Sequence, residues 1–485
     1  MAFFDKLKSL RPGSPVTQPA EPARKGFRFP TLFTGWWTVI GGGVLALWGH
    51  GYNAYGISVL FKPLSEELGM GRAETSLASS IGRLEGGFES PITGWITDRF
   101  GARWVIITGV SLMSLALILM YFISAAWQYL LVWGVLLGTG ANIALTLPID
   151  ATISNWFVKK RGLALSIKWV FSGLSGVLVM PLIAWIITPS EAASFSGPEW
   201  LMPIYTWTMV NLRNWRGACL IGGIVMALVG IPISWFVIKA KRPEYYGQLP
   251  DGAKLSEKEK ADREQVIQKG VKYASEVNEL EFTLRQAMRT RAYWLMLAVQ
   301  AIPSFVAPVM SIHAVNFLTD MGIPRLQAAA IMAMMILFSL PTRFIGGIIA
   351  DRLHINQLRF IKTVSYFLQG IGVVIFLIWP TLPVVYVWFI LYGLGQGFGN
   401  TINPFIRARF FGRKAFGSIH GITQLISTPV SVMAPWYAGW IYDTTGSYTL
   451  AFTQFAVLLG VAAVVSLFLV APKPPAKIGD IRQLV

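Results

Sequence analysis

Apolar residues in this chain run in long blocks, broken at intervals by short polar or basic stretches. Twelve such blocks fall at roughly 36–61, 74–97, 104–124, 127–156, 163–188, 217–238, 292–318, 326–350, 360–379, 383–406, 415–441 and 448–471. Each is long enough, wound as a helix, to cross about 30 Å of hydrocarbon. The pattern predicts an all-α membrane protein of twelve transmembrane helices.

The blocks divide six and six around one long polar stretch, 239–291, which carries twelve basic and nine acidic residues. With "KLSEKEKADREQ" as its core, it reads as a solvated hinge with a short amphipathic helix. The two sets of six echo each other. "GWITDRFGAR" (94–103) follows the second block and "GGIIADRLH" (346–354) the eighth. "WFVKKRGLALSIK" (156–168) follows the fourth and "RFFGRKAFGSIH" (409–420) the tenth. Two pseudo-symmetric six-helix bundles follow, at 34–238 and 292–471. A tail at 1–33, the linker 239–291 and a tail at 472–485 flank them. Such paired repeats place a site near their shared axis and let the halves rock around it. In each Gly-x-x-x-Asp-Arg motif the carboxylate can cap a neighbouring helix N-terminus or pair with loop arginines. Asp98, Arg99, Asp351 and Arg352 are therefore candidates for a conformational latch.

Composition agrees with a lipid setting. Only 13% of the 485 residues are charged and 54% are hydrophobic, against about a quarter charged in soluble domains. The net charge of +17 does not point to nucleic acid, because its distribution is a topology signal. With the N-terminus in the cytoplasm, Lys62, Arg72, Arg213, Arg216 and Arg325 are the basic residues left on external loops, which obeys the positive-inside rule. The expected setting is the inner or plasma membrane, with both termini cytoplasmic and the chain working as a monomer. Cys219 is the single cysteine, so no intramolecular disulfide or multi-cysteine metal site can form. The first 30 residues have no apolar core of a cleavable signal. No phosphate-binding loop, metal-ligand spacing or cofactor motif is present.

Three stretches narrow the reading: "TGWWTVIGGG" (34–43), "NWFVKKRGLALSIKWVFSG" (155–173) and "EFTLRQAMRTRAYWLM" (281–296). With the repeated Asp-Arg motifs they resemble the major facilitator superfamily over about 33–472, and within it the monocarboxylate transporter and oxalate–formate antiporter branch. The resemblance implies a carrier of small organic acids, often with a proton, that holds the carboxylate on an arginine of the eighth helix. Arg343 matches that position. Animal members carry an acidic residue four before the arginine, where this chain has Ser339. Their first-helix lysine aligns with Tyr55. The eleventh-helix lysine of the oxalate–formate group has no match in "SIHGITQ", which offers His420 and Gln424.

Ionisable residues inside a membrane usually face a cavity or a partner and mark function. Arg343 lies about 12 Å above Asp351 by helical rise, and Glu89 about 13 Å above Asp98. The guanidinium fork of Arg343 suits a carboxylate; otherwise it joins two helices in an ion pair. Lys168 and Asp150 fall at similar depth on consecutive helices. They form a salt bridge, or Lys168 is a second substrate cation that Asp150 holds until substrate arrives. By the repeat offset Lys168 is equivalent to His420. Glu85 and Glu89 share a helix face. Glu89 and Glu85, with Asp150, are candidates for proton coupling, and Glu89 could instead pair with Arg343. Arg83 either snorkels to the outer mouth or pairs across helices. Tyr52, Asn53 and Tyr55 in "HGYNAYG", and Asn400 at the end of "GLGQGFGN", could orient a small polar ligand.

These readings converge on a secondary carrier of small organic anions, monocarboxylates first, moving with a proton by alternating access. An organic-anion exchanger and an efflux carrier for amphipathic or cationic compounds are the rivals. A sensor or scaffold would need larger soluble domains, and an enzyme a nucleophile–base pair or metal cluster. The topology is testable on a Cys219→Ser background. A membrane-impermeant maleimide added outside should label cysteines placed at Ala125 and Pro380 and leave those at Ala102 and Lys414 unlabelled. Labelling of the second pair would reverse the orientation.

Overall fold

The computed structural model describes residues 33–187, 212–253, 255, 263–275 and 281–473. The two expected tails lie almost wholly outside them, as does part of the linker. Twelve long helical segments run through the described residues. α1 joins Thr34–His50 to Ile57–Glu67 through a π-helical stretch, Gly51–Gly56. Then follow α2 (Arg72–Phe100), α3 (Ala102–Leu119), α4 (Ala126–Trp156), α5 (Arg161–Ile187) and α6 (Trp215–Val237). The second half holds α7 (Arg291–Asp320), α8 (Arg325–Arg352), α9 (Leu358–Ile378), α10 (Leu382–Phe411), α11 (Phe416–Thr445) and α12 (Thr449–Leu467). Nine of these, among the described residues, are long and apolar enough by themselves to cross a membrane. α1, α2 and α11 are the other three.

Helix ends fall within six residues of the hydropathy blocks, and one of the shifts is consequential. α10 continues to Phe411, five residues past the expected end, and carries Arg407 into the interior. Arg407 is 1% exposed and Lys362 of α9 is fully buried. Lys362 and Arg407 therefore join Arg83, Lys168 and Arg343 as cations within the helices. "RARFFGRK" is basic enough to read as a loop, but the helix continues through it.

Helices in lipid gain little from hiding apolar surface from one another, so close backbone approach and polar contacts hold them together. The halves meet along two helix pairs. α2 packs on α11, with Gly94 so near Gly417 that a Cβ on either would strike the other's carbonyl. α5 packs on α8, with Gly162 and Gly347 in the same relation.

At the same end of both pairs a carboxylate spans the halves. Asp98 of α2 accepts hydrogen bonds from the backbone N–H groups of Gly417 (2.9 Å) and Ser418 (2.7 Å), and from the Ser418 hydroxyl (2.7 Å). Asp351 of α8 accepts from the N–H groups of Gly162 (2.6 Å) and Leu163 (2.8 Å). Each aspartate thus caps the N-terminus of the fifth helix of the opposite half. Helix N-termini leave N–H groups unsatisfied and carry partial positive charge, so a buried carboxylate satisfies both needs at once. The neighbouring arginines take no part. Arg99 lies exposed over the rings of Trp95 and Phe100, at 5.3 and 5.6 Å, and Arg352 is exposed. Neither makes an ion pair among the described residues.

The linker is more than a solvated hinge. Its first part docks on the same end of the molecule. Asp251 accepts from three successive backbone N–H groups, Val158 (3.1 Å), Lys159 (2.8 Å) and Lys160 (2.9 Å). Its φ of 59° is the one positive value outside glycine among the described residues. Glu244 and Arg413, both nearly buried, pair at 3.2 Å and tie the linker to the α10–α11 turn. The amphipathic helix expected further on is Arg263–Ser275.

Asp351→Ala leaves two N–H groups at the start of α5 without their acceptor. Loss of such a cap costs about 1–2 kcal/mol. A lowered melting temperature of the purified protein is expected, with Asp351→Asn recovering part of it. An unchanged melting temperature in the alanine variant would show that the packing stands without the cap.

Candidate substrate cavity

A cavity of 420 Å³ lies between the halves, bounded by α2, α4, α7, α9, α10 and α11. Helix irregularity opens it. Thr146, at the break ahead of Pro148 in α4 (φ −117°, ψ −74°), is part of its wall, as are Pro303 and Pro308 of α7. Three of the expected ligand residues, Asn400, His420 and Gln424, come together here. Among the lining residues there is no carboxylate, and Arg83 carries the one permanent charge.

Two further cations stand directly behind this wall. The Lys362 ammonium donates to Asn403 Oδ1 at 2.5 Å, and Arg407 Nη2 donates to Gln300 Oε1 at 3.2 Å. Both amide residues line the cavity. Arg407 is near enough to Asp150 and His420 to act on them electrostatically. Asp150 pairs with Lys168 at 3.0 Å, both essentially without solvent exposure. The lysine also lies over the Trp169 ring at 3.9 Å. Lys168 is thus engaged in the salt bridge and is not part of the cavity wall.

Arg343 is 3% exposed and belongs to the α5–α8 contact, not to the wall of this cavity. Its Nη1 donates to the carbonyl of Trp169 at 2.8 Å, and the Tyr55 hydroxyl is within hydrogen-bonding reach. Its Nε is buried without a hydrogen-bond partner among the described residues. His50 lies close by, held to the Ser172 hydroxyl at 3.0 Å. Two expectations need correcting here. The Glu89–Arg343 pair does not form among the described residues, because Arg343 is drawn toward α5 while Glu89 is beside Asn142 and Thr139 of α4. Tyr52 is not a ligand residue in this arrangement. It is fully buried, and its hydroxyl donates to the Ala218 carbonyl at 2.9 Å, so it joins α1 to α6.

Glu85 accepts from the Thr139 hydroxyl at 3.3 Å. Glu89 is half-buried, with Oε1 lacking a hydrogen-bond partner among the described residues. Asn53 and Tyr55 are half-buried on the π-helical stretch of α1, a local geometry frequent at functional sites. Lys362 and Arg407 escaped the sequence reading. Each lies near the end of its apolar block, where a basic residue is ordinarily taken for a loop residue.

The description of the Major Facilitator Superfamily matches residues 43–435, well over half of the chain. Monocarboxylate transporter 12 of Xenopus laevis is 23% identical over 440 residues, spanning 88% of this chain and 89% of its own length. Monocarboxylate transporter 2 of Mesocricetus auratus is 23% identical over 426 residues, covering 85% of this chain and 80% of its own. Among solved structures, the proton:xylose symporter XylE aligns with a TM-score of 0.68 at 12% identity, over 90% of this chain and 96% of that one. Twelve helices in two related halves, with a polar cavity between them, accord with these matches, and the chain belongs to the Major Facilitator Superfamily of membrane transporters.

Proposed function

We propose that this multi-pass transporter carries small organic anions, monocarboxylates foremost, by alternating access and together with a proton. The observation that supports this most is the charge around the cavity. Its lining has no carboxylate and carries Arg83; one hydrogen bond behind it stand Lys362 and Arg407, against the single carboxylate of Glu89 beside Asn142. Charges in a low-dielectric setting act strongly and at range. Three cations against one carboxylate favour an anion over a cation, which argues against the efflux reading. The curated relatives named above as monocarboxylate transporters favour the same substrate class.

Arg343 is the residue proposed to take the carboxylate when the α5–α8 contact loosens. Its unpartnered Nε and the adjacent Tyr55 hydroxyl leave it with hydrogen-bonding capacity to offer. Asp98 and Asp351 are proposed as the latch of the closed end, since both caps must break for that end to open. Glu89 is proposed as the proton carrier, being a half-buried carboxylate with an unpartnered oxygen. The basic bias of the loops supports a cell membrane with both termini in the cytoplasm. One chain supplies every group in this scheme, which supports a working monomer.

Arg343→Ala is expected to abolish saturable uptake of the transported acid in proteoliposomes while membrane insertion stays intact. Retained saturable uptake would remove Arg343 from the substrate site. Glu89→Gln is expected to keep counterflow exchange and lose accumulation driven by an inward proton gradient. A pH dependence equal to that of the parent protein would exclude Glu89 as the carrier.

A further inference from the structure

The cavity wall is unusual in its carboxamides. Gln300, Gln396, Asn400, Asn403 and Gln424 line it from three helices of the second half, beside Asn142 and Gln369, whose NH₂ groups already donate to the Gly82 and Ser365 carbonyls. The first five fall into two groups. Gln300 and Asn403 spend their carbonyl oxygens on Arg407 and Lys362. Their remaining polar atoms are the NH₂ groups, which only donate. A cation on the carbonyl also polarises the amide and strengthens those donors. Such a pair suits an anionic oxygen. The side-chain amides of Gln396, Asn400 and Gln424, in contrast, make no hydrogen bond among the described residues. Each offers a donor and an acceptor together, which is the complement of a hydroxyl group.

We infer that the cavity takes a polyhydroxylated carboxylic acid of sugar-acid type, its carboxylate toward Gln300 and Asn403 and its hydroxyls toward Gln396, Asn400 and Gln424. This rests on the anion reading above and narrows it. An unsubstituted alkanoate would desolvate the three amides and leave them unpaired, which weakens binding. A neutral polyol would satisfy them and forgo the field of Arg83, Lys362 and Arg407. The volume of 420 Å³ is in the range of small-molecule pockets, about 300–1,000 Å³. A three-carbon acid would leave most of it to water. Arg343 does not border the cavity in this conformation; Gln300 and Asn403 receive the carboxylate here, and it passes to Arg343 when the α5–α8 contact loosens.

The experiment is a binding titration of the purified full-length chain in lipid nanodiscs, with gluconate, butyrate and sorbitol as probes. Gluconate is expected to bind about tenfold or more tightly than either of the others. Gln424→Ala and Asn400→Ala, made separately, should each lower the gluconate-to-butyrate affinity ratio roughly three- to tenfold, the worth of one lost hydrogen bond. Using a ratio keeps the result independent of partial misfolding. Butyrate binding as tightly as gluconate, or a ratio unchanged in both variants, overturns the sugar-acid inference and leaves the anion reading standing. Sorbitol binding as tightly as gluconate with butyrate silent overturns the anion reading itself. Silence of all three probes overturns the inference.

Discussion

A charge withdrawn from water must find a partner or a purpose. Lys168, Arg343, Lys362 and Arg407 are all at most 3% exposed within the helical spans. Arg161, at the start of α5, is fully buried as well and donates to the carbonyls of Phe157 and Ser154. Asp150 is the one span carboxylate buried as deeply among the described residues, and Lys168 occupies it. Arg343, Lys362 and Arg407 are held by neutral acceptors: the Trp169 carbonyl, Asn403 and Gln300. Neutral acceptors satisfy hydrogen bonds without cancelling charge. The interior therefore keeps a net positive field, and the organisation of the cavity follows from that.

The same economy of polar groups governs the contact between the halves. Glycines bring backbones together at Gly94–Gly417 and Gly162–Gly347. That closeness allows Asp98 and Asp351 to reach N–H groups across the interface. Each cap is a set of a few hydrogen bonds, strong while water is excluded and readily replaced by water once the helices part. Asp251 repeats the arrangement from the linker onto the α4–α5 turn. Three carboxylates thus hold one end of the molecule through backbone groups, with no reliance on the arginines next to two of them.

Much of this was legible in the chain. Block length and spacing specified twelve helices because lipid demands continuous, internally bonded apolar segments. The repeated Gly-x-x-x-Asp-Arg motif located both interface aspartates. The motif's arginines misled, because they lie exposed while the aspartates beside them reach backbone N–H groups across the interface. Asn400, His420 and Gln424 were recognisable as polar groups in apolar spans. Arg407 and Lys362 were not, since a basic residue at the edge of an apolar block looks the same in a loop as in the last turns of a long helix. Tyr52 and Tyr55, three apart on one helix, could not be told apart until the π-helical stretch set Tyr52 against α6 and Tyr55 beside Arg343.

By itself, then, the sequence determined the solvent this protein lives in, the number of its helices, the duplication of its halves and the presence of charges too deep to be accidental. Those properties depend on local composition and period. Only the tertiary structure decided which charges meet. It paired Lys168 with Asp150, turned Arg343 from Glu89 toward α5, and set Lys362 and Arg407 behind an amide wall. Such choices depend on how helices distant in sequence rotate and approach, and a span of side chains along one helix carries no record of its neighbour's face.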